Sequence, residues 1–395
     1  MIVQDRLNST NLKMTMPKEL AIQGFCDDAF LPLKESFEQN FEDGLELGAS
    51  LALTHRGKLV VDLWGGHFNQ GRRTPWQSDT IVNVASTTKI AAALCTLVAI
   101  DKGLLELDAP IATYWPEFAQ GGKEKATVRH ALFHSTGAPG LKIPANHGVQ
   151  NNIIDAADII AREPAWFEPG SVTCYHAVTY GVILGELIRR TDGRGPAQFF
   201  SEEIALPTES DFSIGVRSNV PFQRVTSVVQ FEEDKIESGS IPDLVLRSFS
   251  ADREQLCWDS MSRENMSGSG YGNARSIAKF TAILANKGSL NGKQFISPEL
   301  LNEVTTEQYY GEDLAIGTIR YGLGFGLDSP EFKAPTPESF HWGGKGGSWA
   351  SIDPVSETSA AYAMNLGVPP EVDNFGTDPR QVRLWKTLGE VLQNI

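Results

Sequence analysis

The sequence predicts an α/β domain assembled from both ends of the chain and interrupted by a mainly helical insertion. Three observations predict this: strand-like runs before residue 65, strand-like runs again after residue 320, and, between them, helical segments set among Pro- and Gly-rich loops. The expected limits are 21–108 with 266–395 for the α/β domain and 109–265 for the insertion. Residues 1–20 read as a loosely held polar extension. At 395 residues the chain can bury a substantial core.

The elements follow in order. Asp27–Asn40 predicts a helix with Phe30, Leu31, Leu33 and Phe37 on one face. Ala49–Thr54 and Leu59–Trp64 read as a hairpin turning at His55-Arg56-Gly57. Thr88–Lys102 is apolar nearly all round and stops at Gly103, the pattern of a buried central helix with a glycine just past its end. Helices are expected at Ile154–Arg162, Val178–Arg190, Pro196–Glu203 and Ala274–Asn286. Tyr321–Leu327 predicts a Gly-rich strand, and Ser348–Ile352 and Ala360–Asn365 two more. A last helix over Asp378–Gln393 should turn Val382, Trp385, Leu388, Val391 and Leu392 inward.

Lys and Arg total 34 against 49 Asp and Glu, for a net charge of −15. That balance argues against nucleic acid or an anionic membrane as partner, since both need a basic surface. The four cysteines, Cys26, Cys95, Cys174 and Cys257, form no CxxC pair and read as free, mostly buried thiols. The N-terminus carries no apolar stretch of signal-peptide length, and the longest apolar run, Ile90–Ile100, is too short for a bilayer. A cytoplasmic protein is expected.

The chemical signal is Ser86-Thr-Thr-Lys89 at the start of the buried helix. Residues i and i+3 share a face, so the lysine amine can reach the serine hydroxyl. That hydroxyl is a poor nucleophile until a base takes its proton, and a helix start adds amides and partial positive charge where an oxyanion would form. The pattern recurs by chance at Ser276-Ile-Ala-Lys279, expected on a mixed or solvated face inside its helix. Further on, Tyr175 stands just before a helix in Pro169-Gly-Ser-Val-Thr-Cys-Tyr175-His-Ala-Val-Thr-Tyr180-Gly. Phe340-His-Trp-Gly-Gly-Lys-Gly-Gly-Ser348 then leads into a strand.

Ser-x-x-Lys, a tyrosine motif and a Gly-rich strand, in that order, resemble the serine β-lactamase and penicillin-binding superfamily. Leu132–Gly140, Tyr175–Gly181, Leu184–Arg190, Asn273–Ser276 and Tyr321–Gly324 resemble its family VIII carboxylesterases more narrowly. The resemblance runs from about residue 45 to the C-terminus. It implies an α+β fold, an antiparallel sheet flanked by helices with an inserted helical domain. It implies Ser86 as nucleophile, Lys89 and Tyr175 as proton carriers, and an oxyanion hole of the Ser86 and Lys345 backbone amides. Trp342, Gly343 and Gly344, with His341, would line the substrate site.

Two positions depart from the superfamily pattern. Relatives that bind a carboxylate usually carry Lys or His where this chain has Trp342, and often Asn or Ser where it has Ala177. Both changes remove polar recognition of a β-lactam, and a tryptophan offers apolar area instead. Among other residues, Tyr180 reads as core, and His176 has no identifiable carboxylate to complete a triad. His130 and His134 have metal-ligand spacing but no third ligand, so no metal is expected, nor any other cofactor. The sequence therefore predicts a serine carboxylesterase for small to medium acyl esters. An amidase, acyltransferase or β-lactam hydrolase is the alternative, ahead of a non-catalytic binding relative.

Overall fold

The computed structural model describes residues 22–146, 148–149, 152–230, 236–249, 263–368 and 376–395. The N-terminal extension and Cys257 lie outside them. The N-terminal part supplies strand β1 (Gln23–Cys26), helix α1 (Leu31–Glu42), β2 (Gly48–His55), β3 (Lys58–Gly66), β4 (Ile81–Asn83) and α2 (Thr88–Asp101). The middle supplies α3 (Ile153–Arg162), α4 (Thr179–Asp192), α5 (Pro196–Phe200) and two short strands, β5 (Ser213–Ile214) and β6 (Val225–Thr226). The C-terminal part adds β7 (Gly270–Gly272), α6 (Ala274–Ala285), β8 (Tyr309–Asp313), β9 (Gly317–Tyr321), β10 (Gly326–Leu327), β11 (Phe340–Gly343), β12 (Trp349–Asp353), β13 (Thr358–Met364) and α7 (Pro379–Leu392).

Nine strands form one antiparallel sheet in the order β1-β3-β2-β13-β12-β11-β10-β9-β8. Both ends of the chain meet at its centre, where Thr358–Met364 pairs with Ala49–His55. The β2–β3 hairpin turns through Arg56 and Gly57, both at positive φ, in the handedness that suits twisted strands. The sheet is covered on both faces, as the alternation along its strands requires. Trp349, Tyr362 and Met364 pack with α1 and α7, whereas Phe340, Trp342, Ala350 and Ile352 join the larger core around α2, α4 and α6. Every residue of α2 from Thr88 to Ala99 is buried. No helix among the described residues is long and apolar enough to cross a membrane.

Several expectations change. Where one strand is expected over Tyr321–Leu327, residues 322–325 form a turn between β9 and β10, because Gly324 adopts a positive φ and Gly322 N bonds Phe325 O at 2.8 Å. Strands β1, β8 and β11 were not expected; each is short or charged and lacks a long alternating run. Val382 is 50% exposed and Leu31 41%, so α7 and α1 present slightly rotated faces, with Leu384 and Phe41 buried instead. Cys95 and Cys174 are buried free thiols, and Cys26 is half-buried.

Candidate active site

Ser86 sits in a tight turn, Ala85–Thr87, that runs directly into α2. Ala85 holds a positive φ of 44°, uncommon for a residue with a Cβ. Its amide donates to Asn83 Oδ1 at 3.0 Å, and Asn83 Nδ2 donates to Gly268 O at 2.9 Å. The two residues between Ser86 and Lys89 fasten this turn from opposite sides. Thr87 Oγ1 bonds Ser348 Oγ at 3.0 Å, and Ser348 Oγ donates to Val84 O at 2.8 Å. Thr88 Oγ1 donates to Ala85 O at 2.5 Å and accepts from Gly270 N at 2.8 Å. The strained turn is thus held between the main sheet and β7.

Lys89 Nζ lies 3.2 Å from Ser86 Oγ, 2.8 Å from Ala177 O and 2.9 Å from Ser267 O. A neutral amine has two N–H donors and one lone pair. In that form the two carbonyls can take both donors and leave the lone pair for Ser86. Burial penalises the ammonium and holds the Lys89 pKa well below the ordinary lysine range. Tyr175 OH donates to Ser86 Oγ at 2.7 Å, and the Lys89 amine stands 4.8 Å from the centre of its ring. Burial raises the phenol's pKa, so Tyr175 stays protonated.

Tyr175 is positioned from behind by Asp313, at the tip of the β8–β9 hairpin. Asp313 Oδ1 accepts from the backbone N–H of Tyr175 at 3.0 Å and from those of Ala315 and Ile316 at 2.9 and 3.2 Å. Burial lifts the Asp313 carboxyl above its ordinary pKa. His134 fills the space between Tyr175, Tyr180, Tyr321 and Trp342, with ring centres 4.6–5.8 Å apart. Its Nδ1 accepts from His176 N at 3.1 Å. His176 is committed to Cys174 O at 2.6 Å and Thr136 Oγ1 at 2.7 Å, and burial lowers its pKa to about 4.

The structure brings Ser86, Lys89 and Tyr175 together and lays the end of β11 across them. A Cβ on Gly344 would lie 3.0 Å from Ser86 N, so the chain passes close over the Ser86 amide just before Lys345. Trp342 is 3% exposed, its ring neighbours being His134, Tyr175 and Tyr321. It therefore supports Tyr175 from below and presents little area to a ligand. His341 is not brought to this face. Adjacent residues on a strand point oppositely, and His341 stacks on Phe332 at 4.5 Å and packs at a tilt against Trp385 at 5.0 Å. Tyr180 packs in the core, with its hydroxyl toward Leu132 O. His130 and His134 part company, because His130 Nδ1 caps its own helix by accepting Thr127 N–H.

Ser276 also differs from expectation. It lies in the first turn of α6, buried, and exchanges capping hydrogen bonds with Asn273: 2.9 Å to the Asn273 side chain and 3.0 Å from its amide. Its hydroxyl is consumed by the cap, and Lys279 reaches away to Glu209. Asn83, Ser267, Asp313 and Ser348 were missed altogether. Only Asp313, placed before a short Leu-Ala-Ile-Gly turn, carried a local signal.

This sheet, with α2 behind a Ser-x-x-Lys turn, is the fold of the β-lactamases and penicillin-binding proteins. A family model described as Beta-lactamase matches residues 37–381, and the chain belongs to that family. A crystal structure of a family VIII carboxylesterase is similar at a TM-score of 0.84 and 34% identity, covering 94% of this chain and 100% of that one. A penicillin-binding protein homologue from Caulobacter crescentus matches at 0.85 and 33%, with 94% and 100% covered. The Esterase/beta-lactamase LipL of Mycobacterium tuberculosis is 26% identical over 360 residues, 86% of this chain and 82% of that protein.

Because the Ser276 hydroxyl is the N3 half of the Asn273 capping box, Ser276→Ala should lower stability by about 1 kcal/mol and leave esterase turnover within twofold of the parent. Urea unfolding and a p-nitrophenyl ester assay check both, and lost activity in a folded variant would contradict the assignment.

Proposed function

We propose that this protein is a serine carboxylesterase that hydrolyses small to medium acyl esters through an acyl-enzyme on Ser86. The observation that carries the reading is the Ser86 hydroxyl set 3.2 Å from an amine whose pKa burial lowers well below the lysine range and 2.7 Å from a phenol whose pKa burial raises. Ser86 Oγ attacks the ester carbonyl carbon as its proton passes to the Lys89 lone pair. The carbonyl π electrons move to oxygen, and the backbone amides of Ser86 and Lys345 hold the resulting oxyanion. As the intermediate collapses, the C–O bond to the alcohol breaks. The alkoxide leaves with a proton drawn from Tyr175 OH, which is resupplied from Lys89. Water then attacks the acyl-Ser86 carbonyl by the same route in reverse and releases the acid. The chemistry calls for no metal or cofactor.

Support from the relatives is at the level of ester hydrolysis, through the family VIII carboxylesterase and LipL. The specificity rests on Trp342. A buried indole near the end of β11 places no cation where carboxylate-binding relatives keep one, so neutral esters suit the cleft better than charged β-lactams. The same acyl-enzyme chemistry would serve an amidase, an acyltransferase or a β-lactam hydrolase. A binding protein without turnover would have no chemical need for Ser86, Lys89 and Tyr175 together.

Three outcomes are expected. The deprotonated amine is the active form and its pKa is depressed, so kcat/KM should rise with pH at an apparent midpoint below the free-lysine value of about 10.4; a rise confined to the ordinary lysine range would contradict this. Tyr175→Phe should cut kcat by roughly 10²–10⁴, whereas near-normal kcat would move the proton chemistry elsewhere. A p-nitrophenyl butyrate should be turned over with far higher kcat/KM than benzylpenicillin. Comparable values would sink the esterase reading, and loss of the penicillin turnover in Lys345→Ala would locate the carboxylate partner.

A further inference from the structure

Below the turn that follows β11 lies a buried charged cluster that the proposed chemistry does not use. Gly346 and Gly347 both adopt positive φ, 96° and 114°, and the turn closes by Gly347 N to Gly344 O at 3.0 Å. Arg380, in the first turn of α7, is 2% exposed and reaches up into it. Its Nη2 donates to Gly346 O at 2.9 Å and to Asp378 Oδ2 at 2.8 Å, and its Nη1 donates to Leu366 O at 2.7 Å. Glu46 Oε2 lies 3.4 Å from Nη1, and Tyr362 OH donates to the other Glu46 oxygen. A Cβ on Gly347 would run into the guanidinium and the Asp378 carboxylate, so glycine is required there for close approach as well as for φ. A buried ion cluster is a costly way to stabilise a fold. A planar fork of five donors is a good way to fix several backbone carbonyls at once.

We propose that Arg380 is a positioning residue for the oxyanion hole: by gripping Gly346 O and the underside of Gly347, it holds the Lys345 amide in register with that of Ser86. The proposal rests on the oxyanion hole given above and extends it from the two donors to what aims one of them. Asp378 orients the guanidinium and caps α7 through Arg380 N at 2.9 Å, so the C-terminal helix and the oxyanion turn move as one piece. Glu46 completes the shell, with burial pushing its carboxyl up to about 8.

The test is kinetic and uses Arg380→Lys, which keeps a cation beside Asp378 but cannot reach both Gly346 O and Leu366 O. With p-nitrophenyl butyrate, kcat should fall about 10- to 100-fold with KM within threefold, a displaced donor costing less than the roughly 10²–10³ of a deleted one. The sulfur analogue, p-nitrophenyl thionobutyrate, separates the two claims, since sulfur is a weak hydrogen-bond acceptor. The parent should strongly prefer the oxygen ester, and Arg380→Lys should lose much of that preference. A folded Arg380→Lys with parental kcat and parental preference overturns the role of Arg380, as does a rise in KM alone. A parent that shows no preference for oxygen over sulfur overturns the oxyanion hole itself. Should Arg380→Lys not fold, Arg380→Met with Asp378→Asn carries the same comparison. It removes the charges of Arg380 and Asp378 together.

Discussion

Placing a lysine amine inside a helix that has no polar face sets the terms for everything around Ser86. Among the described residues no carboxylate pairs with Lys89, so nothing there compensates an ammonium, and burial favours the free amine. A free amine in such a place still needs partners for its two N–H bonds, and the chain provides Ala177 O and Ser267 O. Those carbonyls come from segments 88 and 178 residues away, so making the base also joins distant parts of the chain. The remaining lone pair has one neighbour, Ser86, whose position is fixed in turn by Thr87, Thr88 and Asn83. In the proposed mechanism, activation of the hydroxyl is thus a consequence of packing, with no separate charge needed to achieve it.

The tyrosine completes the arrangement by the opposite route. Burial disfavours charge on either group, drawing the lysine pKa down and the phenol pKa up, so one desolvated pocket suits the base and the acid of the proposed mechanism side by side. The aromatic stack of His134, Tyr321 and Trp342 maintains that desolvation, and Asp313 aligns the backbone that carries Tyr175. Trp342 accordingly acts as a wall of the pocket more than as a contact surface for substrate.

What the sequence made legible was whatever is written locally. The buried helix from Thr88, the hairpin at Arg56-Gly57 and the spacing of Ser86 to Lys89 each depend on neighbours within a few positions, and each is found where expected. Asn83, Ser267 and Ser348 have partners 185, 178 and 261 positions away, and no local pattern marks such a contact; Asp313 stands at a readable turn, but its bond to Tyr175 spans 138 positions. His341 shows the limit from another side. Next to a Gly-rich motif it reads as a cleft residue, but the pleat that points Trp342 toward Tyr175 must point His341 toward Trp385. Ser276, expected on a mixed or solvated face, is buried as the N3 partner of a capping box, and Asn273 three positions earlier is readable as a helix start.

The central claim is that Ser86 becomes acylated during turnover. Rapid acid quenching of the enzyme with excess p-nitrophenyl butyrate, followed by intact-mass measurement and peptide mapping, tests it directly. The account predicts a single butyryl adduct on the peptide carrying Ser86, formed no more slowly than steady-state turnover and absent from a folded Ser86→Ala protein that is inactive. An adduct mapped to another residue, or sustained ester hydrolysis by Ser86→Ala, would contradict it.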